Sequence, residues 1–357
     1  MKKKVMLAMS GGVDSSVALL LLKKKYDVVG VTMKLFENED IGLNTSKTCC
    51  SLSDVEDAKS VAAKCSVDHY TFNFKNNFKE NVIDRFIQSY QNGETPNPCI
   101  DCNRYVKFDE MLRRAQALEC DYLATGHYAR IHKDESTGRF LLKKALDESK
   151  DQSYVLFSLT QEQLSKILFP MGEMIKTDAR EIALESGLIN AEKPDSQDIC
   201  FVPDGDYVSF IEKYTGASTP KGSFIDKNGN ILGEHKGILH YTIGQRKGLG
   251  IALGKPVFVT EIDTINNTVS LGGEEELFKS ELIAKDVNLI SVDTLAEPMR
   301  VSAKTRYRHK EQPCTISSCE NGNVKVVFDE PQRAITPGQA VVFYDGDIVV
   351  GGGTIMK

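Results

Sequence analysis

The chain has 357 residues, with 44 basic and 50 acidic side chains, a net charge of −6, 41% hydrophobic content and 26% charge. That length exceeds one ordinary hydrophobic core and implies two or three domains, and the acidic balance excludes a nonspecific nucleic-acid coat while leaving room for local basic patches. Apolar runs such as Val17–Leu22 are far too short to cross a bilayer, and nine scattered cysteines with no export signal argue for reduced thiols in the cytoplasm rather than a disulfide framework.

In chain order, Lys2–Lys4 followed by Val5–Met9 imitates a signal peptide. The apolar part is too short for one and ends in a glycine turn, so Val5–Met9 reads as a buried strand. A helix is expected from about Asp14 to Lys24. Strands follow at Val28–Leu35 and His69–Phe74, with helical spacing at Glu56–Lys64, Lys79–Tyr90 and Tyr105–Leu118 and another strand at Tyr122–Ala124. This alternation predicts an α/β domain over residues 1–205, a doubly wound and mainly parallel sheet with ligands beyond the carboxyl ends of its strands. After a helix at Asp206–Tyr214 the character changes to glycine turns and short strands. Pro256–Ile262 and Thr268–Leu271 read as a hairpin through Asn266-Asn267, and Val324–Phe328 as a further strand. A small β-rich central domain over 206–280 and a C-terminal β-barrel over 281–357 are expected.

The string Ser10-Gly-Gly-Val-Asp-Ser-Ser16 between the first strand and first helix carries the most chemistry. Glycines let a phosphate approach the backbone, hydroxyls add donors, and the helix N-terminus favours an anion. The loop lacks both the lysine of a kinase-type P-loop and the Gly-x-Gly-x-x-Gly of a dinucleotide fold. Asp14 is suited to position Mg²⁺ on a pyrophosphate. The string resembles the PP-loop of the ATP pyrophosphatases, which release pyrophosphate and transfer AMP to a substrate oxygen.

Thr95–Arg104 is a proline-set loop opening a helix. It places Cys102 near that helix's start with Arg104 and Lys107 close by, a setting that favours a thiolate. Cys200 lies in the polar stretch Asp195–Phe201. Lys304, Arg306, Tyr307, Arg308, His309 and Lys310 form a basic-aromatic segment, suited to RNA phosphates and an exposed base or, as readily, to a solvated strand edge. Tyr128, Phe201 and the Asn97-Pro98 edge are candidate pocket walls.

Together these segments resemble the bacterial-type tRNA-specific 2-thiouridylases. The matches run along nearly the whole chain: Ser10–Ser16, Val31–Lys34, Thr95–Arg104, Ala124–Arg130, Lys150–Tyr154, Ser196–Phe201, His240–Gly248, Lys304–Arg308 and Thr336–Gln339. The resemblance implies ATP contacts at Ala8, Met9, Ser10, Gly11, Gly12, Val13, Asp14, Ser15, Met33 and Gly126. It implies that Asn97, Pro98 and Cys99 face the target base, that His127, Lys150, Asp151, Gln152, Arg306, Tyr307 and Gln339 touch tRNA, and that Cys102 and Cys200 are catalytic. The expected reaction is ATP- and Mg²⁺-dependent thiolation of a wobble uridine. In it a Cys200 persulfide, loaded by a separate sulfur-donor protein, attacks the adenylated C2 and Cys102 assists release. Family members often carry Asp at the position of Cys99, which leaves Asp101 as a substitute carboxylate. Cys99, Cys102 and Cys200 alternatively suit a [4Fe–4S] cluster, and His127 could complete a zinc site. Cys49-Cys50 is a further candidate redox or metal pair. A PP-loop synthetase acting on a small metabolite is the competing enzymatic reading, and a non-catalytic RNA-binding protein with a vestigial nucleotide fold is the other.

Overall fold

The computed structural model describes residues 2–37, 52–194 and 199–357; Cys49-Cys50 and the first part of Asp195–Phe201 lie outside them. The chain divides into two compact units, one of Met1–Ile83, Pro98–Asp206 and Asp347–Val349, the other of Asp84–Asn97, Tyr207–Gly346 and Val350–Lys357.

In the first unit, strands β1 (Lys4–Ala8), β2 (Asp27–Lys34), β3 (His69–Asn73), β4 (Tyr122–Ala124) and, after the β5 (Arg130–Lys133) and β6 (Phe140–Lys143) hairpin, β7 (Ile167–Leu168) are defined. Their order is β3-β2-β1-β4-β7 with all four pairings parallel, the doubly wound sheet that the alternation predicts. Helices α1 (Val13–Lys23) and α2 (Leu52–Lys64) follow β1 and β2. Val5, Met6 and Leu7 are fully buried because a central parallel strand is covered on both faces. Val17, Ala18 and Leu19 of α1 join Val5 and Leu7 in one apolar cluster. Strand order reverses between β1 and β4, so the carboxyl ends of these two strands flank the crevice where such folds bind ligands. Asp347 closes the unit from far along the chain, its carboxylate 3.0 Å from Arg130 and 3.1 Å from Lys143.

In the second unit, β8 (Gly222–Ile225), β9 (Ile231–His235), β10 (Phe258–Asp263) and β11 (Thr268–Gly272) form a four-stranded sheet. The expected hairpin is its β10–β11 edge, antiparallel, with Asn267 at φ 51° in the turn. Strands β12 (Phe278–Leu289), β13 (Met299–Lys304), β14 (Gln312–Ser318), β15 (Val324–Arg333), β16 (Ala340–Asp345) and β17 (Ile348–Ile355) run in the order β12-β15-β14-β13-β16-β17, and β12 pairs with β17 to close a barrel. Its interior holds Val326, Val341, Phe343, Val350 and Ile355, all fully buried. Beyond the closed barrel, β17 also pairs with β6, and β5 ends the order. Among the described residues no helix is long and apolar enough to cross a membrane.

Candidate active site

β1 delivers the Ser10–Ser16 turn to the carboxyl edge of the sheet. Gly11 sits at φ +71°, and a Cβ there would stand 2.3 Å from the Asp54 carbonyl oxygen, so the turn lies against α2 as only glycine permits. Gly12 is the N-cap of α1 and supplies no side-chain cap, which leaves the first amides of the helix without that partner. Ser15 and Ser16 turn inward, their hydroxyls donating to the Gly12 carbonyl at 3.1 and 3.0 Å, while Ser10 is exposed. Ala8 and Met9 end β1. The Met9 carbonyl accepts from the Thr32 hydroxyl at 2.8 Å, and Met33 lies one residue further along β2. Across the crevice, a Cβ on Gly126 would come within 2.9 Å of the Ser15 nitrogen, so the β4 turn needs glycine to approach the start of α1.

Three polar side chains that the sequence reading does not single out converge on this loop from one segment. Lys176, which opens the helix Lys176–Glu185, is buried and donates to both Asp14 carboxylate oxygens at 2.7 and 2.9 Å. Asn190 is buried and donates to the Gly11 carbonyl at 2.8 Å and the Ser16 hydroxyl at 2.9 Å. Lys193 reaches the Gly11 carbonyl at 3.4 Å and pairs with Asp54 and Asp57 at 2.6 Å each. Although burial opposes its charge, those carboxylates hold the Lys193 ammonium above the usual lysine range. Asp14 therefore does not stand open to a cation, because Lys176 and the Tyr128 hydroxyl, at 2.8 Å, occupy its carboxylate. Tyr128 serves the loop through its hydroxyl.

The second cluster of candidates lies on a helical run that starts earlier than the spacing suggests, at Pro98, with a π-helical stretch over Cys102–Glu110. Proline suits the first helical position because it has no N–H to satisfy. Exposed Cys99 thus falls in the first turn and buried Cys102 in the second, where the helix dipole has largely faded. Asn103 anchors the run by donating to the Val155 carbonyl at 3.1 Å. Partly buried Cys200 sits in a turn closed by the Val202 amide donating to the Ile199 carbonyl at 2.8 Å. Beside it, Phe201 is 1% exposed and packs edge-on against Phe78 at 5.8 Å, so it is a core anchor for the turn rather than a pocket wall. Cys65, Cys120 and Cys314 are packing thiols, their pKa values raised by burial, that of Cys314 to about 12. Among the described residues no three His, Cys, Asp or Glu side chains are grouped to hold a metal ion. Cys99, Cys102, Cys200 and His127 form no such group among these residues.

His127 is buried between Phe108 and Phe169, with its Nδ1 2.6 Å from the Thr125 hydroxyl. Burial, with repulsion from Lys107, holds its pKa well below the histidine range. Protonation is then a property of the unfolded chain, so stability is expected to fall as pH drops through about 6.5, by up to about 1.4 kcal/mol per pH unit for this one proton. His69, His235 and His309 are shifted the same way by burial. His127→Gln is expected to flatten the decline in urea midpoint between pH 7.5 and 5.5, and an unchanged slope would refute the assignment.

The remaining candidates have structural employment. Asp151 accepts from the Ala145 and Ser153 amides, at 3.0 and 3.2 Å, and Gln152 Oε1 accepts from the Tyr128 amide at 2.9 Å; Lys150 ends the adjoining turn. In the second unit, Gln339 donates to the Thr95 carbonyl at 2.7 Å and so fixes the segment leading to Asn97. Arg306 donates to the carbonyls of Ile243 and Ala334 at 3.3 and 3.4 Å and to the Thr336 hydroxyl at 2.5 Å. It ties backbone together, and Tyr307, Arg308, His309 and Lys310 are the exposed members of that segment.

Three family models match successive stretches of the chain. They are described as a tRNA methyl transferase HUP domain over residues 3–204, a tRNA methyl transferase PRC-barrel domain over 208–273 and an aminomethyltransferase beta-barrel domain over 279–355. A curated tRNA-specific 2-thiouridylase MnmA from Clostridioides difficile (strain 630) is 59% identical over 358 residues, covering 100% of this chain and 99% of the relative. Its counterpart from Acetivibrio thermocellus is 56% identical, covering 99% of each chain. Among solved structures, the U34-tRNA thiolase NcsA from Methanococcus maripaludis with its [4Fe–4S] cluster aligns at TM-score 0.36 and 18% identity over 59% of this chain and 66% of that one, too distant a likeness to bear on the chemistry.

Proposed function

The chain belongs to the tRNA-specific 2-thiouridylase family, and from that premise we propose that it is a tRNA sulfurtransferase that activates a wobble uridine with ATP and exchanges its C2 oxygen for sulfur. The observation that carries the reading is that one compact unit holds the phosphate turn, Cys102 and Cys200 together. ATP lays its phosphates on the amides of Ser10–Ser15, and the uracil O2 attacks the α-phosphorus with loss of pyrophosphate. The terminal sulfur of a Cys200 persulfide, loaded by a persulfide-bearing donor protein, attacks C2 and expels AMP. The Cys102 thiolate then attacks Cys200 Sγ, forming a disulfide and releasing the 2-thiouridine, and an external thiol restores both cysteines. Asn97, Pro98 and Cys99 are proposed to face the base, with His127, Lys150–Gln152, Arg306, Tyr307 and Gln339 belonging to the tRNA side. Mg²⁺ is proposed only as the counter-ion carried by the nucleotide's phosphates. Domain boundaries at 205 and 280 and a cytoplasmic setting belong to the same reading.

Lys176 takes the part of the lysine that the Ser10–Ser16 string lacks. From its place on the Asp14 carboxylate, it can turn its ammonium to the phosphates. Lys176→Met is expected to weaken ATP and pyrophosphate binding by about 10- to 100-fold, the size of one or two charged hydrogen bonds, with AMP binding little changed. Calorimetric titration of the three ligands checks this, and equal losses for AMP and ATP would overturn it. The function itself is tested by mass spectrometry of nucleosides from tRNA incubated with the protein, ATP, Mg²⁺ and a persulfide donor. ATP-dependent 2-thiouridine is the expected product; its absence, with no AMP or pyrophosphate formed, refutes the proposal.

A further inference from the structure

Between Glu234 and Glu261 the chain carries no acidic residue, although acids number 50 in 357 residues overall, and this stretch holds Lys236, Arg246, Lys247 and Lys255. Its core is a loop whose two ends are tied together. The Gly244 amide donates to the Val259 carbonyl at 2.8 Å and the Val259 amide to the Gln245 carbonyl at 3.0 Å. Arg306 grips the root through the Ile243 carbonyl. Within the loop Leu249 and Val257 are buried in the apolar cluster of the four-stranded sheet, and Ile251 and Leu253 pack against it. Arg246, Lys247 and Lys255 are thereby left on the exposed side.

The outward side is shaped for an anion. Glycines at 248, 250 and 254 adopt φ between +70° and +76°, and at Gly250 and Gly254 a Cβ would meet nothing within 4 Å, so glycine is required there by backbone conformation and not by crowding. A cavity of about 520 Å³ opens among Arg246, Gly248, Gly250, Lys255 and Pro256, with no carboxylate in its lining. Among the described residues, neither Arg246 nor Lys247 nor Lys255 pairs with an acid, and the amides of residues 246–255 donate to no protein acceptor. Cations set beside open backbone amides are the donor set that phosphate oxygens take. Lys176 and Lys193, by contrast, are matched to carboxylates.

We propose that the 244–257 loop, in the second unit, is a binding site for the sugar–phosphate backbone of the RNA substrate. The proposal rests on the tRNA thiolation reading and adds to it a place where the body of the RNA is held. Phosphate contacts position a nucleic acid without reading its sequence, so the loop contributes affinity and register and leaves the choice of base to other residues.

The test compares two triple variants of the full-length protein by filter binding to tRNA across a salt series. R246A/K247A/K255A is expected to raise the tRNA Kd by about 10- to 100-fold and to lower the slope of log affinity against log salt by roughly 2 to 3, since each phosphate contact accounts for roughly 0.7 to 0.9 of slope. K24A/K25A/K227A removes the same charge from exposed lysines elsewhere and is expected to change Kd by less than about threefold. ATP binding and melting temperature should match the wild type in both, showing that the loop's apolar anchors still hold the fold. Equal effects of the two triples would reduce the observation to net charge and overturn the site. Wild-type protein that binds tRNA while the loop triple leaves Kd and slope unchanged overturns the loop and spares the thiolation reading; wild-type protein that binds no tRNA overturns both.

Discussion

Serine at Cys200 or at Cys102 is expected to cut 2-thiouridine formation by a factor of about a thousand or more, as follows when a covalently acting nucleophile is removed, while ATP binding stays within about twofold. The two variants should fail at different stages. Without Cys200 no persulfide forms and the tRNA is never sulfurated. Without Cys102 the persulfide still attacks, and an enzyme–tRNA adduct joined through Cys200–S–S–C2 accumulates, to be released by added thiol. A denaturing gel with labelled tRNA, run with and without reductant, separates these outcomes. Normal 2-thiouridine in either variant would sink the assignment. The expectation draws on their surroundings: Cys102 and Cys200 lie on a helical run and a turn fixed by Asn103 and Phe201, whereas Cys65 and Cys314 are packed thiols that burial keeps protonated.

Gly11→Ala is expected to abolish ATP binding in the accessible concentration range and to lower stability by about 2–5 kcal/mol. The left-handed backbone costs an alanine roughly 1–2 kcal/mol, and overpacking against a fixed backbone adds about 1–3. At φ +71° the new methyl would lie 2.3 Å from the Asp54 carbonyl oxygen, so the phosphate turn must lift away from α2. Gly138 is the internal control. Its φ is +73°, but nothing lies within 4 Å of a Cβ there, so alanine meets the backbone term alone, a loss of roughly 2–4 °C in melting temperature. Calorimetric melting with ATP titration distinguishes the two. Equal losses at both glycines would mean that the contact with α2 is immaterial.

The parallel sheet and its helices were legible because strand and helix periods differ, and the string at Ser10–Ser16 was legible because its glycines and hydroxyls are contiguous. The partners of that string were not. Lys176, Asn190 and Lys193 lie at least 162 residues further along the chain, and in sequence they are ordinary polar residues on and after an amphipathic helix. The helix carrying Cys102 was read as starting near Tyr105 because Thr95–Arg104 has loop composition. Pro98 at its first position was the signal that moves Cys102 into the second turn. Composition also does not foretell that the Arg306 guanidinium, expected on the RNA side, donates to two backbone carbonyls and the Thr336 hydroxyl. Barrel closure through β12 and β17 joins strands whose starts are 70 residues apart, and no local pattern encodes that pairing.

The threading of the chain through its two units has a consequence for biosynthesis. Residues Asp84–Asn97 leave the first unit before it is complete, and Asp347–Val349 return to it at the start of β17. A ribosome that has released only the amino-terminal half therefore presents a sheet and a phosphate turn without the carboxylate that neutralises Arg130 and Lys143. Neither unit is one continuous stretch of chain, and the first is whole only once Asp347–Val349 has been made. Fragments ending near residue 206 should accordingly be caught by quality control, even though the phosphate turn and both proposed catalytic cysteines have already been synthesised.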